Sequence, residues 1–257
     1  MQGLTIVPLG GMPLFAPGMA IAAEITRVVA GTGLTLLGSD IVVIAQKIVS
    51  KAEGRLVKLA HVIAGDDARA LAAKTGREPA MAQLILDESS EVLRASPAAI
   101  IARHRCGHVL ANAGIDASNV EGGDAGTVLL WPENPDASAR TIRAALTALT
   151  GMRAAVVIAD SMGRAWRIGT VGTAIGCAGL AVLDDQRGSG QDLFGRTLQA
   201  TVIAVADAVA AAAVLTMGEG AEGTPAALVR GCGQWVSAED GPGMGSGLRS
   251  VAEDMFR

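Results

Sequence analysis

The chain has 257 residues with a formal net charge of -4 at pH 7, and half of its residues are hydrophobic. A chain of this length and composition buries a large core without disulfides or metal staples. Because no lysine- or arginine-rich block occurs, the composition argues against a nucleic acid or an anionic membrane surface as partner and favours a small molecule.

The cysteines and the N-terminus predict a cytoplasmic protein. The three cysteines contain no Cys-x-x-Cys pair, so they predict neither a disulfide framework nor a zinc knuckle. The first segment, MQGLTIVPLGGMPLFAPG, lacks the basic start of a secretion signal and contains three prolines. The most apolar window, residues 198–217, has Asp207 at its middle, so we expect a buried helix there and no membrane span.

In chain order, short β-branched runs alternate with alanine-rich stretches, which predicts a fold of the α/β or α+β class. Residues 4–9 and 40–54 are predicted strands, and residues 19–30 between them a helix. The next predicted elements are two helices and then a hairpin of two strands: 67–77, 79–94, 98–105 and 108–115.

The second half is predicted to begin with a helix over 135–151, capped by Asp136 or Ser138 and ended by Gly151. A buried strand, AAVVIAD, ends in Asp160, and the last strand is PAALVRG. No internal linker divides the chain, so we expect one domain over 1–257, with an ordered core to about residue 235. The glycine-rich tail, about 236–257, is expected to be mobile.

Residues 109–124, VLANAGIDASNVEGGD, gather oxygen-bearing side chains among glycines and small residues. These side chains are Asp116, Ser118, Asn119, Glu121 and Asp124. Such a stretch suits a metal ion or a polyphosphate, and it equally suits a solvated turn. The local pattern leaves both interpretations open.

Two further motifs suit cations and phosphates. Asp160 and Ser161 follow a predicted strand, where they offer hard oxygen ligands for Mg²⁺ or Mn²⁺ or simply cap a turn. Lys47 and Lys51 are two of only four lysines in a chain with seventeen arginines. Compact ammonium groups at a strand end suit phosphate binding, although a solvated strand end has the same pattern.

The glycine loop MGEGAEGTP carries Glu219 and Glu222, which predicts either a phosphate and cation loop or an ordinary helix end and turn. Arg164 and Arg167 follow Asp160 closely and are candidates to bind a substrate carboxylate or phosphate. Trp166, between them, is expected to pack in the core more than to stack on a ligand ring.

The histidines predict no catalytic triad, because His61 is the only one outside the RHRCGH segment. His104, Cys106 and His108 alternate, so on one continuous strand they would share a face and could hold a soft metal, whereas with a turn at Gly107 they would not share a face. The chain also lacks a GxxxxGK[ST] loop and the protein-kinase motifs. The candidate cation and phosphate residues together predict nucleotide-dependent phosphoryl transfer on a less common fold.

Six motifs, in this order and spacing, resemble the coenzyme F420:L-glutamate ligase family, also called F420-0:gamma-glutamyl ligase. They are SKAEGR, NAGIDASN, DSMGRAWR, DLFGR, VADAVAAAA and MGEGAEGTPAALVRG. The likeness runs from the IVPLGGMPLFAPG segment to about Gly231. It implies a single α+β catalytic unit with a mixed sheet, found as an intertwined homodimer.

The resemblance also implies a reaction. GTP would activate the carboxylate of the deazaflavin precursor F420-0 as an acyl phosphate, and the amine of L-glutamate would displace the phosphate, giving one or more γ-linked glutamates. Mg²⁺ or Mn²⁺ is expected, with K⁺ as a further cation. The alternatives are another metal- and nucleotide-dependent carboxylate ligase or kinase, a nucleotide hydrolase, or a nucleotide-binding module without activity.

The family pattern assigns roles to particular residues of this chain. The implied catalytic residues are Asp116, Asp160 and Lys51. The implied metal ligands are Asp116, Asp160, Ser161 and Glu219. The implied nucleotide contacts are Leu9, Gly10, Gly11, Met12, Gln46, Lys47, Lys51, Asn119, Met217, Gly218, Glu219 and Gly220.

Overall fold

The structure is a computed structural model that describes residues 3–254. Twelve strands lie within this range: β1 (Thr5–Leu9), β2 (Ile41–Ala45), β3 (Leu56–Lys58), β4 (Ser89–Ala95), β5 (Ile100–His104), β6 (Val109–Ala111), β7 (Thr127–Leu129), β8 (Ala155–Arg164), β9 (Arg167–Ala178), β10 (Leu183–Asp185), β11 (Val202–Ala204) and β12 (Ala226–Arg230). Six α-helices accompany them: α1 (Ile21–Gly31), α2 (Gln46–Ala52), α3 (Asp66–Thr75), α4 (Pro79–Asp87), α5 (Pro135–Thr150) and α6 (Val205–Met217).

The centre of the fold is a mixed five-stranded sheet in the order β1-β12-β2-β8-β9. β2 and β8 are parallel, and the other neighbouring pairs are antiparallel. Smaller antiparallel sheets, β4-β5-β6, β3-β7 and β10-β11, surround the central sheet. The architecture is therefore α+β with a mixed sheet, as the family resemblance implies.

Successive residues of β2 point to opposite faces of the central sheet. Val42 and Ile44 pack in the core that contains the buried sides of α1 and α5. Ile41 and Val43 pack in the core that contains α6. Because helices cover both faces, β2 forms an unbroken apolar run instead of an alternating one.

Several predicted elements are confirmed. They are the strands at 4–9 and 225–231, the helices at 19–30, 67–77 and 135–151, and the hairpin of β5 and β6. The cap of α5 differs from the prediction, because the side chain of Asn134 accepts a hydrogen bond from the Ala137 amide at 3.0 Å. Gly151 ends α5 in the left-handed conformation, as expected.

Three predicted boundaries were wrong. The strand predicted over 40–54 ends at Ala45 and continues as α2, since a short apolar run does not distinguish a strand from a buried helix. The helix predicted over 79–94 ends at Asp87, after which β4 pairs with β5. β8 continues past Asp160 to Arg164, because β9 pairs with it along its whole length.

The described part of the glycine-rich tail is packed, in contrast to the expected mobile segment. The guanidinium of Arg143, which is 1 % exposed, donates to Asp240 at 2.6 Å and to the backbone oxygen of Ser237. The amide of Met244 donates to Asp136 at 2.9 Å. These contacts join the tail to α5.

The apolar window at 198–217 forms a helix only over Val205–Met217, which buries five aliphatic side chains and Met217. Among residues 3–254, no helix is long and apolar enough to cross a membrane.

Candidate active site

The sheet register brings four segments to one edge of the central sheet. Ala45 at the end of β2 lies opposite Ala159 of the parallel strand β8, so α2 starts beside Asp160. The amide of Ala45 also donates to the oxygen of Pro225, just before β12. Leu9, at the end of β1, pairs with Ala226. The ends of β1 and β2 and the start of β12 therefore lie level with the middle of β8.

The fifth segment is the NAGID turn, which follows β6. Its backbone turns sharply, with positive φ at Asn112, Ala113 and Gly114. Asp116 then exchanges two backbone hydrogen bonds with Leu129, at 2.8 and 3.2 Å. This bridge to β7 fixes the backbone that carries the Asp116 carboxylate.

Lys47 joins this turn to α2. Its ammonium group forms an ion pair with the carboxylate of Asp116 and donates to the backbone oxygen of Ser118 at 2.9 Å. Burial acts to raise the pKa of Asp116, but the hydrogen bonds from Lys47 and Ser118 outweigh it and hold that pKa below its usual range. Asp116 is therefore a stable carboxylate at neutral pH.

Lys51 lies one turn after Lys47 and on the same side of α2. Its ammonium group donates to the backbone oxygen of Asn119 at 2.7 Å. Partial burial and the charge of Lys47 lower the pKa of Lys51, and Glu121 partly offsets this. The helix separates the two positions by roughly 6 Å along its axis, whereas a strand would separate them by roughly 13 Å, so both ammonium groups lie beside the NAGID turn.

Asp160 is held on both carboxylate oxygens. Oδ2 accepts the indole N–H of Trp131 at 2.8 Å, and Oδ1 accepts the backbone amide of Ser161 at 2.8 Å. Burial raises the pKa of the Asp160 carboxyl, and these two donors lower it only in part. Lys47 and Asp116 both act on this pKa through their charges, so the two aspartates belong to one electrostatic cluster.

The glycine loop before β12 contacts the cluster through Ser161 and Asn119. The hydroxyl of Ser161 donates to Glu219, and the amide nitrogen of Asn119 donates to the backbone oxygen of Gly220 at 3.1 Å. Glu222 braces the loop by accepting the Gly220 amide at 2.8 Å. The structure therefore brings together the predicted residues of three separate motifs.

The N-terminal loop, Leu9–Met12, lies next to this glycine loop. A side chain at Gly10 would contact Thr224. Gln46 differs from its neighbours, because its amide is buried and donates to Ser50 at 2.6 Å. The Gln46 side chain thus faces the protein interior.

Arg164 and Arg167 do not reach the cluster. They pair with each other at the exposed end of the β8-β9 hairpin, four and more residues beyond Asp160. At about 3.3 Å per residue, this separation is roughly 13 Å along the strand. Trp166, between them, is 90 % exposed, so the expected core position for it was wrong.

The histidine motif forms no metal site. His104 and His108 are buried and pack against the ring of Trp131, with centroid distances of 4.9 and 5.6 Å. The Nδ1 atom of His104 accepts the Cys106 amide. Across the residues that the structure describes, no three His, Cys, Asp or Glu side chains form a group that could hold a metal ion on their own.

Trp131 is a site residue that the sequence pattern did not reveal. It follows the apolar strand β7 and is fully buried, which is typical of a core tryptophan. Its indole N–H connects it to the cluster by a hydrogen bond to Asp160. No spacing rule links these two positions, so the sequence contained no signal for the contact.

The fold and the site define an α+β protein in which carboxylates, lysines and glycine backbone meet at one edge of a mixed sheet. The sequence model of the F420-0:Gamma-glutamyl ligase family matches residues 11–231, and the chain belongs to this family. The family resemblance drawn from the motifs is thereby confirmed.

Several relatives named coenzyme F420:L-glutamate ligase match most or all of the chain. The protein of Methanothermobacter thermautotrophicus is 42 % identical over 256 residues, covering 100 % of both chains. That of Methanopyrus kandleri is 42 % identical over 219 residues, covering 85 % of each, and that of Archaeoglobus fulgidus is 40 % identical over 252 residues, covering 98 % of this chain and 96 % of its own. These names indicate a ligase.

Proposed function

We propose that this protein ligates L-glutamate to the carboxylate of F420-0 at the expense of GTP, giving coenzyme F420 with one or more γ-linked glutamates. The relatives named coenzyme F420:L-glutamate ligase support the substrates. The observation that carries the chemistry is one electrostatic cluster in which Lys47 pairs with Asp116 and both charges act on Asp160.

The donor chemistry of this cluster suits Mg²⁺ or Mn²⁺. Asp116, Asp160, Ser161 and Glu219 offer only hard oxygen atoms, and Mg²⁺ is commonly bound by one or two carboxylates together with substrate phosphates. A set of three protein carboxylates is therefore not required. Lys47 forms an ion pair with Asp116, and its charge also lowers the pKa of Asp160, so both aspartates respond to a nearby cation.

Each residue of the cluster would have a role that follows from its position. Asp116 and Asp160 would hold the divalent cation, which when bound neutralises phosphate oxygens during transfer. Lys47 and Lys51 would contact phosphates, since compact ammonium groups are suited to them. The glycine loop and the Leu9–Met12 loop would bring backbone N–H groups to the nucleotide.

The reaction would proceed in two displacements. An oxygen of the F420-0 carboxylate attacks the γ-phosphorus of GTP, and the bond to the bridging oxygen breaks, releasing GDP. The amine of glutamate then attacks the acyl carbon, inorganic phosphate leaves, and the amine loses a proton. No nucleophilic side chain is needed, and the rings of His104 and His108 pack against Trp131, with His104 paired to Glu88 at 3.4 Å.

We propose in addition that K⁺ assists as a further cation and that the protein acts as a homodimer. Large apolar side chains on two surface segments support the second proposal, because all are at least 83 % exposed. They are Trp166, Ile168, Leu193 and Phe194.

Mass spectrometry of F420-0 after incubation with the purified protein, GTP, Mn²⁺ and L-glutamate tests the function. We expect a product heavier by one or more glutamyl units, and no such product when GTP or the metal is omitted. An unchanged precursor with accumulating GDP would point to another acceptor or to a hydrolase. Saturable GTP binding without any GDP would identify a binding module instead.

A further inference from the structure

Trp131 joins the metal-ligand candidate Asp160 to the protein interior. Its indole nitrogen can only donate, and its single N–H points at Oδ2 of Asp160 at 2.8 Å. Oδ1 accepts the Ser161 amide at the same distance. Each carboxylate oxygen has two acceptor positions, so within residues 3–254 one position on each oxygen is left for a cation.

The indole ring is fixed from several directions. Trp131 is 0 % exposed, and the rings of His104 and His108 contact it at angles of 47° and 78°. Its backbone oxygen accepts the Nε–H of Arg55 at 2.8 Å. Arg55 in turn forms an ion pair at 2.9 Å with Glu88, and Glu88 is buried. The N–H direction is therefore set by packing and not by Asp160 alone.

The NAGID turn has room for this ring only because Gly114 lacks a side chain. A Cβ atom at Gly114 would overlap the indole nitrogen of Trp131. The turn that carries Asp116 and the indole that holds Asp160 thus pack directly against each other. The rigid Trp131 ring therefore connects Gly114, two residues before Asp116, to the side chain of Asp160.

We propose that Trp131 is a positioning residue that orients the Asp160 carboxylate for divalent-cation binding. The inference rests on the proposed function, in which Asp160 is a metal ligand. Groups that hydrogen-bond a metal ligand in this way typically contribute 10- to 100-fold to metal affinity. A purely structural tryptophan would stabilise the fold and leave that affinity unchanged.

Titration of the purified full chain with Mn²⁺ tests the proposal, with free Mn²⁺ followed by its electron paramagnetic resonance signal. The titration is run with Mn²⁺ alone and again with a non-hydrolysable GTP analogue. Trp131→Phe keeps a buried ring and removes the donor. We expect it to weaken Mn²⁺ binding on the order of 10- to 100-fold. Saturating Mn²⁺ should restore most of the turnover number.

Trp235→Phe is the matched control. The indole of Trp235 also donates to a carboxylate, that of Asp184 at 3.2 Å, but it lies outside the cluster. We expect this variant to bind Mn²⁺ as the unaltered protein does. Equal loss of affinity in both variants would overturn the proposal, because the effect would then be a general loss of an indole.

Asp160→Asn separates the inference from the function on which it rests. If Asp160→Asn abolishes Mn²⁺ binding while Trp131→Phe retains it, the positioning role is wrong and the metal site stands. If the unaltered protein does not bind Mn²⁺ and Asp160→Asn leaves the titration unchanged, the proposed metal site is wrong and the inference fails with it.

A chemical substitution decides the matter if Trp131→Phe does not fold. In a W166F/W235F background Trp131 is the remaining tryptophan of the three in the chain. Biosynthetic replacement by benzothienylalanine preserves the bicyclic shape and removes the N–H donor. Weaker Mn²⁺ binding would support the proposal, and unchanged binding would overturn it.

Discussion

Asp116 and Asp160 interact through their charges, yet their surroundings shift their pKa values in opposite directions. Hydrogen bonds from Lys47 and Ser118 lower the first, whereas burial raises the second. Like charges are costly to hold together without a cation between them. The pair is therefore the point in the molecule at which a single lost carboxylate should affect function most.

Asp116→Asn and Asp160→Asn should each lower glutamyl transfer by about 100-fold or more, since a lost charge at the proposed metal site would remove several kcal/mol of stabilisation. The side-chain volume hardly changes, so the fold should persist. Product formation is measured by mass spectrometry and folding by circular dichroism. Asp67→Asn, on the exposed face of α3, is the control and should leave transfer unchanged. Near-normal transfer in either site variant would refute the assignment at that position.

His108 makes the stability of the fold depend on pH. Burial, with a smaller contribution from His104, lowers the pKa of His108 from 6.5 to about 4. The unfolded chain therefore takes up a proton between pH 6.5 and 4 that the folded chain does not. Stability that is present above pH 6.5 is lost as the pH falls toward 4, by up to about 3 kcal/mol for this group.

Urea unfolding at pH 7 and pH 5 measures this dependence. His108→Phe keeps a ring against Trp131 and removes the titrating group, so its stability should fall less between the two pH values than that of the unaltered protein. His61→Phe, at an exposed position, should retain the full loss. An equally steep loss in His108→Phe would show that other groups cause it.

At the scale of elements, the long hairpin of β8 and β9 depends on close contact with its helices. Gly176 in β9 lies against the backbone of Pro135 at the start of α5, and an added Cβ atom would overlap that carbonyl group. Gly163, in β8 of the same hairpin, has no atom within 4 Å of the corresponding position. The same substitution at the two glycines therefore tests the contact between Gly176 and Pro135.

Gly176→Ala should destabilise the fold by roughly 1–3 kcal/mol or more, because backbone must shift to accept the methyl group. Gly163→Ala is the matched control and should change stability little. Both free energies of unfolding come from denaturant titration followed by circular dichroism. Similar stability in the two variants would show that α5 can shift to accept the methyl group without lowering the free energy of unfolding.

At the scale of the whole molecule, a homodimer should cover the exposed apolar side chains. They are Trp166, Ile168, Leu193 and Phe194. Sedimentation equilibrium should then give twice the chain mass of 25.9 kDa. Ile168→Lys and Phe194→Lys, at residues 101 % and 83 % exposed, should shift the mass toward the monomer without unfolding it. Leu14→Lys, 91 % exposed on another segment, is the control. A single-chain mass for the unaltered protein would contradict the dimer.

The residue pattern by itself determined an α/β or α+β class, most of the helices, and the strands with unbroken apolar runs, because burial on both faces of a strand leaves it apolar throughout. The choice of α+β came from the family resemblance. The sequence also determined the family, since the motifs around Asp116 and Asp160 are specific in type and order. Element ends were less well determined. Residues 46–52 are apolar enough for either a strand or a helix, and contacts with the surrounding core select the helix.

Only the tertiary structure decided which side chains meet. Lys47 and Asp116 are separated by 69 residues, and Trp131 and Asp160 by 29. Neither pair follows from helical or strand periodicity, because those periods relate residues within one element. The parallel register of β2 with β8 and the turn at Gly114 bring these groups together. The same register leaves Arg164 and Arg167 at the far end of the hairpin, since strand pairing carries them beyond the edge where the other segments converge.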